Sequence, residues 1–166
     1  MKLSRCLTPL SAQTDRVLGQ GAFKSVYEGF DTDKCRSVAW CEVFTADMDE
    51  EERGKVHREA ELLKQLSHPH LLDCFAVWHT DSKLVIITEL KKAGDLQEFT
   101  RSNRPKLKVI KRWLRDVLEG LAYLHAQQPP VAHRDIKAQN IFYDSAKGHI
   151  CIGDLGLAAQ LPPGAS

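Results

Sequence analysis

The chain has no CxxC pair, no apolar run long enough to span a bilayer, no internal repeat and no excess of one charge sign. Each absence removes a class of explanation. Its five cysteines (Cys6, Cys35, Cys41, Cys74, Cys151) are odd in number and unpaired in spacing. That argues against a disulfide frame and for free thiols in a reducing compartment, with the cytoplasm the expected location. Lys plus Arg is 23 and Asp plus Glu is 22, so no net field points to nucleic acid or to an anionic membrane. The start has basic Lys2 and Arg5 but is interrupted by Ser4, Thr8, Pro9, Ser11, Gln13 and Asp15 before any apolar core can form, and no signal peptide is expected. The histidines at 57, 68, 70, 79, 125 and 149 show no metal-ligand spacing and read as structural.

What is present is enough for a sizeable core: 166 residues, 43% hydrophobic and 27% charged, fit one or two lobes. Residues 1–14 read as a polar leader and 15–166 as the folded region. A β-pattern around Val17, a Gly19-Gln20-Gly21 turn, Lys24 to Gly29, and Ser37 to Phe44 predict three strands, the first two forming a hairpin. Asp47 to Ser67 opens acidic and continues with Val56, Ala60, Leu62, Leu63 and Leu66, an amphipathic helix stopped by His68-Pro69. Leu72 to His79 and Lys83 to Glu89 predict two more strands. A short helix over Leu96 to Arg101 follows. Lys106 to Ala126 places Leu107, Ile110, Trp113, Leu114, Val117, Leu118, Leu121 and Leu124 at three- and four-residue steps, a long helix with one broad apolar face. The expected class is α+β, an upper part of five antiparallel strands plus one helix (about 15–90) and a lower helical part (about 91–166).

Two strings carry chemistry. His133-Arg134-Asp135-Ile136-Lys137-Ala138-Gln139-Asn140 is followed, fourteen positions after Asn140, by Asp154-Leu155-Gly156. Asp135 supplies a base for a hydroxyl proton, Lys137 a cation beside a moving phosphoryl group, and Asn140 with Asp154 the oxygen ligands for Mg²⁺. Asp and Asn also favour ordinary turns, but the joint spacing is hard to explain that way. Gly19 and Gly21 between two strands, with Val26 placed to cover a purine, read as a nucleotide flap. His133 reads as a packed, hydrogen-bonded residue.

These strings resemble the protein kinases, with one exchange. In that pattern the phosphate-binding lysine stands fifteen residues after Val26, and here that position is Cys41, in Val38-Ala39-Trp40-Cys41-Glu42. A third glycine is expected at position 24, which holds Lys24. With Gly21-Ala22-Phe23-Lys24-Ser25-Val26-Tyr27 and Gly153-Asp154-Leu155-Gly156-Leu157-Ala158, the chain is similar to the with-no-lysine (WNK) serine/threonine kinases from about Val17 to Leu161. A lysine ammonium is a point charge on a flexible stem and can reach the α/β-phosphates from either strand.

The resemblance implies ATP and Mg²⁺ as cofactors, a protein serine or threonine hydroxyl as acceptor, and Lys24 beside Asp135 and Lys137 in catalysis. It implies a Lys24–Glu59 ion pair. It implies a hinge over Ile87-Thr88-Glu89-Leu90 with Thr88 as gatekeeper, Asp95 at the ribose, and Ala39 and Phe142 among the nucleotide contacts. An inhibitory chloride near Leu155 and Leu157, with Ile86 and Cys74 completing an apolar pocket, is a further implication. Ten residues follow Gly156 and no Ala-Pro-Glu motif occurs, so an incomplete lower lobe with exposed apolar surface is expected. A shortened, inactive module that binds nucleotide or another kinase chain is the alternative.

Overall fold

The computed structural model describes residues 13–21, 24–155 and 158–161, apart from the side chains of 13–15 and 59. It divides into two compact units, one of the residues up to Lys64 with Cys74–Leu90, the other of Gln65–Asp73 with the residues from Lys91 onward.

The first unit is a five-stranded antiparallel sheet in the order β1-β2-β3-β5-β4, with one helix. Its strands are β1 (Gln13–Gln20), β2 (Lys24–Asp31), β3 (Arg36–Phe44), β4 (Cys74–His79) and β5 (Lys83–Glu89). The expected leader is corrected at its end, since β1 begins at Gln13, paired with Gly29. Ladder hydrogen bonds come from the backbone, so a polar segment joins without an apolar pattern. Helix α1 (Glu50–Gln65) is shorter than the expected Asp47–Ser67. A capping box explains its start: the Glu52 N–H donates to Asp49 Oδ1 at 2.8 Å, and the Asp49 N–H donates to Glu52 Oε2 at 3.1 Å. Ala60, Leu62 and Leu63 are its buried apolar residues.

In the second unit, α2 (Leu96–Ser102) and α3 (Leu107–His125) precede two small antiparallel pairs, β6 (Val131–Ala132) with β9 (Ala159–Gln160) and β7 (Ile141–Asp144) with β8 (His149–Ile152). Trp113, Ile141 and Ile150 form its core with Phe99, Val117 and Tyr143 around them. The expected apolar face of α3 splits. Trp113 and Leu124 are buried, with Asp116 and Gly120 on the same buried side, while Leu107, Ile110, Leu114 and Leu118 are exposed. β4 starts at Cys74 rather than Leu72, because Leu71 and Leu72 pair with Ile152 instead. Among the described residues, no helix is long and apolar enough to cross a membrane.

Candidate active site

Directly opposed residues of an antiparallel ladder share a face, so register assigns sides. Val26 lies opposite Cys41, Cys41 opposite Ile86, Ala39 opposite Thr88 and Thr88 opposite Cys74. Lys24, two residues before Val26 and opposite Val43, belongs to that face too. The other face carries Val38, Val85 and Ile87 with Trp40 and Trp78 packed against them. Lys24 therefore occupies a position diagonal to Cys41, about 7–8 Å away across the ladder. Cys41 is buried and small. The register thus puts the lysine on the side where the kinase pattern wants its cation, one strand over. Gly21 N–H donates to the Lys24 carbonyl at 2.7 Å, closing the hairpin, and a side chain at Gly19 would meet nothing within 4 Å. Thr88 Oγ1 donates to the Glu89 carbonyl at 3.4 Å at the end of β5, just before Leu90. Glu59 lies on α1, but its side chain is outside the described residues, as are Ala22 and Phe23.

In the second unit, the loop from His133 to Asn140 is held by its own polar groups. The Asp135 N–H donates to His133 Nδ1 at 3.3 Å, which leaves the ring proton on Nε2 to donate to the Gly153 carbonyl at 3.0 Å. His133 is thus the buried connector expected of it, and its tautomer is set by its two partners. Asn140 Nδ2 donates to both the Asp135 carbonyl and Asp135 Oδ2, each at 2.8 Å, and Lys137 Nζ donates to the same Oδ2 at 2.7 Å. The Lys137 hydrogen bond, aided by that of Asn140, holds the Asp135 carboxyl below its usual range against an opposing desolvation effect. Asp135 is therefore an anion at neutral pH. Its side-chain donors converge on Oδ2 rather than Oδ1.

The Asp154 backbone has φ 54°, and Arg134 has φ 63°, so both chemistry-bearing strings contain a residue in the left-handed region. Gly153 joins the two strings: its N–H donates to the Asn140 carbonyl at 2.8 Å, and its carbonyl accepts from His133. A Cβ there would lie 2.5 Å from Leu72 Cδ1 and 2.8 Å from Phe142 Cε2. Only glycine fits. The place of Gly153 just before Asp154 is the one sequence signal for this role. Phe142 and Asp95 are brought together by a bridge between their backbones. Asp95 also caps α2, accepting from the Glu98 N–H at 2.8 Å through Oδ1. Leu155 is buried, and Leu157 lies outside the described residues.

As oxygen ligands for Mg²⁺, the pair fits: Asn140 uses Nδ2 for its hydrogen bonds, which leaves its amide Oδ1 to offer, and Asp154 is an exposed carboxylate.

The model of the protein kinase domain matches residues 12–166. The chain belongs to the protein kinase domain family. Within it, the chain is 41% identical over 151 residues to the serine/threonine-protein kinase WNK of Caenorhabditis elegans, a match covering 87% of this chain and 8% of that protein. It is 41% identical over 149 residues to WNK4 of Rattus norvegicus, covering 87% of this chain and 12% of that one. The same identity holds over 152 residues to WNK3 of Mus musculus, covering 89% and 9%. The chain thus spans only a small part of the length of these WNK kinases. Among solved structures, that of Rad53 residues 1–466 in complex with AMP-PNP matches at a TM-score of 0.76 and 26% identity, covering 87% of this chain and 38% of that one. The kinase fold, with its five-stranded sheet and one helix in the first unit, is the architecture expected from the sequence.

Proposed function

We propose that this chain is the nucleotide-binding and phosphoryl-transfer segment of a WNK-like serine/threonine protein kinase, using ATP and Mg²⁺. The observation that carries the reading is the Asp135–Lys137–Asn140 constellation, tied by His133 and Gly153 to Asp154. The Oδ1 side of Asp135 accepts the proton of a protein serine or threonine hydroxyl as its oxygen bonds to the γ-phosphorus. The bond from that phosphorus to the β,γ-bridging oxygen breaks, and ADP leaves with the electron pair. Lys137 can exchange its bond with Asp135 for the transferring phosphoryl oxygens, and Asn140 with Asp154 would hold Mg²⁺, which neutralises phosphate charge when bound. In the first unit, Gly19, Gly21 and Val26 cover the nucleotide. Ala39, with Thr88, Glu89 and Leu90, meets adenine, and Lys24, oriented by Glu59, meets the α/β-phosphates. Asp95 and Phe142 complete the contacts at the ribose and base. Cytoplasmic location and a chloride held near Leu155 and Leu157 belong to the same reading. The chloride is checked by whether nucleotide affinity follows chloride concentration.

The deciding measurement is radiolabelled transfer from ATP to a generic serine/threonine substrate and to the chain itself, with Asp154→Ala as the blank. Lys24→Met is expected to abolish transfer while Cys41→Ala retains it, and the opposite pattern would return the phosphate contact to β3. The exposed Leu107, Leu114 and Leu118 stripe favours a second reading, a module without turnover that docks on another kinase chain. Nucleotide binding without transfer, equal in the native chain and in Asp135→Asn, would select it.

A further inference from the structure

We infer that His70, Asp116 and His149 form a binding site for a divalent transition-metal ion, with zinc the best chemical match, built from residues the phosphoryl-transfer reading does not use. His70 comes from the segment after α1, Asp116 from α3 and His149 from the first position of β8. One ligand atom from each lies within 4.8 Å of the others. Asp116 Oδ1 is 3.8 Å from His70 Nε2, and Asp116 Oδ2 is 3.1 Å from His149 Nδ1. A tetrahedral ion with bonds of 2.0–2.1 Å separates its ligand atoms by about 3.3 Å, so the three side chains would draw together slightly around it.

The surroundings are those of a ligand set. His70 Nδ1 sits 3.1 Å from the Ile150 carbonyl, which can accept its N–H, and Nε2 is the ring nitrogen that faces Asp116. A backbone carbonyl on the second ring nitrogen is how metal-bound imidazoles are oriented. Asp116 is buried, and its partners are the two imidazoles and the Ile150 N–H, which donates to Oδ2 at 3.2 Å. A buried carboxylate needs a positive neighbour, and an ion between the rings supplies one. Gly120, one turn beyond Asp116, makes the approach: a Cβ there would lie 3.1 Å from the His70 carbonyl and 3.0 Å from Ile152 Cδ1. Two imidazoles with a carboxylate suit zinc, whereas Mg²⁺ and Ca²⁺ prefer all-oxygen sets. The side chains of His149 and Glu119 are 42% and 54% exposed, which gives an ion a way in. Glu119 Oε2, 3.3 Å from His70 Nε2, stands near for the fourth position. Bound, the ion would tie α3, β8 and the segment at His70 together.

The test titrates the 166-residue chain with Co²⁺, followed by its visible absorption, and then displaces it with Zn²⁺. Saturation at one equivalent is expected, with affinity weakened about 10-fold or more by His149→Ser, a partly exposed position, and by Asp116→Asn. Asp154→Ala is expected to leave the cobalt signal in place, separating this site from the Mg²⁺ ligands. X-ray absorption on the zinc-loaded native chain needs no substitution and is expected to show imidazole nitrogen and oxygen only. Absence of saturable binding, as for a hydrogen-bonded network of protonated imidazoles, overturns the inference. So does a sulfur shell. Loss of binding in His57→Ala with none in His149→Ser does the same, by moving the ion to the exposed His57–His79 pair.

Discussion

Asp135 and Asp144 each meet a lysine ammonium, at 2.7 and 2.6 Å, in surroundings that differ in their access to water. The Asp135 and Lys137 side chains are 26% and 48% exposed, and those of Asp144 and Lys91 are 9% and 6%. Water screens the first pair, so its cation can leave for a phosphate at little cost. Water is excluded from the second, where Asp144 Oδ1 also accepts from the Ala146 and Lys147 N–H groups. Burial pushes the Asp144 carboxyl up, but the Lys91 hydrogen bond and the backbone donors outweigh it and the net direction is down. The two pairs thus share a short N–O distance and differ in access to solvent, and it is the accessible one that the proposed transfer requires.

The strongest way to break that contrast is Asp135→Asn. Phosphoryl transfer should fall about 10²–10⁴-fold, with the thermal unfolding midpoint almost unmoved. A large loss of midpoint would make Asp135 structural as well. Lys91→Met should do the reverse, lowering unfolding free energy by about 3–5 kcal/mol in a denaturant titration, because it strands a buried carboxylate. Asp144 has a depressed folded-state pKa, so its contribution is present above the unfolded value near 3.9 and is lost as pH falls through the folded one. The gap between native chain and Lys91→Met should accordingly narrow below about pH 4. A gap constant down to acid pH would mean the pair is not the source. The smallest effect is that of Asp95→Ala, about 1 kcal/mol for the lost cap of α2. Asp95→Asn should keep the cap. If Asp95→Asn also keeps ATP affinity, Asp95 is a cap alone, and if affinity drops, its carboxylate reaches the ribose.

The strands and the helices were legible because each depends on neighbours a few residues away. β5 was read to its boundaries as Lys83–Glu89, since a continuous Leu84-Val85-Ile86-Ile87 run flanked by polar residues leaves little choice. Helix α3 was legible as a helix but not in its orientation. Periodicity draws an apolar stripe without saying which edge finds a partner, and the structure buries Asp116 and Gly120 while leaving Leu107, Leu114 and Leu118 exposed. The start of β4 was misread because Leu71 and Leu72 carry strand-like side chains whose backbone pairs elsewhere.

The sequence by itself determined the order of elements, the inventory of chemical groups, and a lysine at position 24 with a cysteine at 41, since motif spacing along a strand or loop is a local quantity. Only the tertiary structure decided which sides meet. The ladder register placed Lys24 on the face of Cys41, and the bare surface of Gly153 joined His133 and Asn140 to Asp154. Packing of Gly120 against His70 gathered two histidines and a buried carboxylate that lie far apart along the chain. No spacing rule could have announced that cluster, because its members come from three separate segments and their proximity is a product of packing.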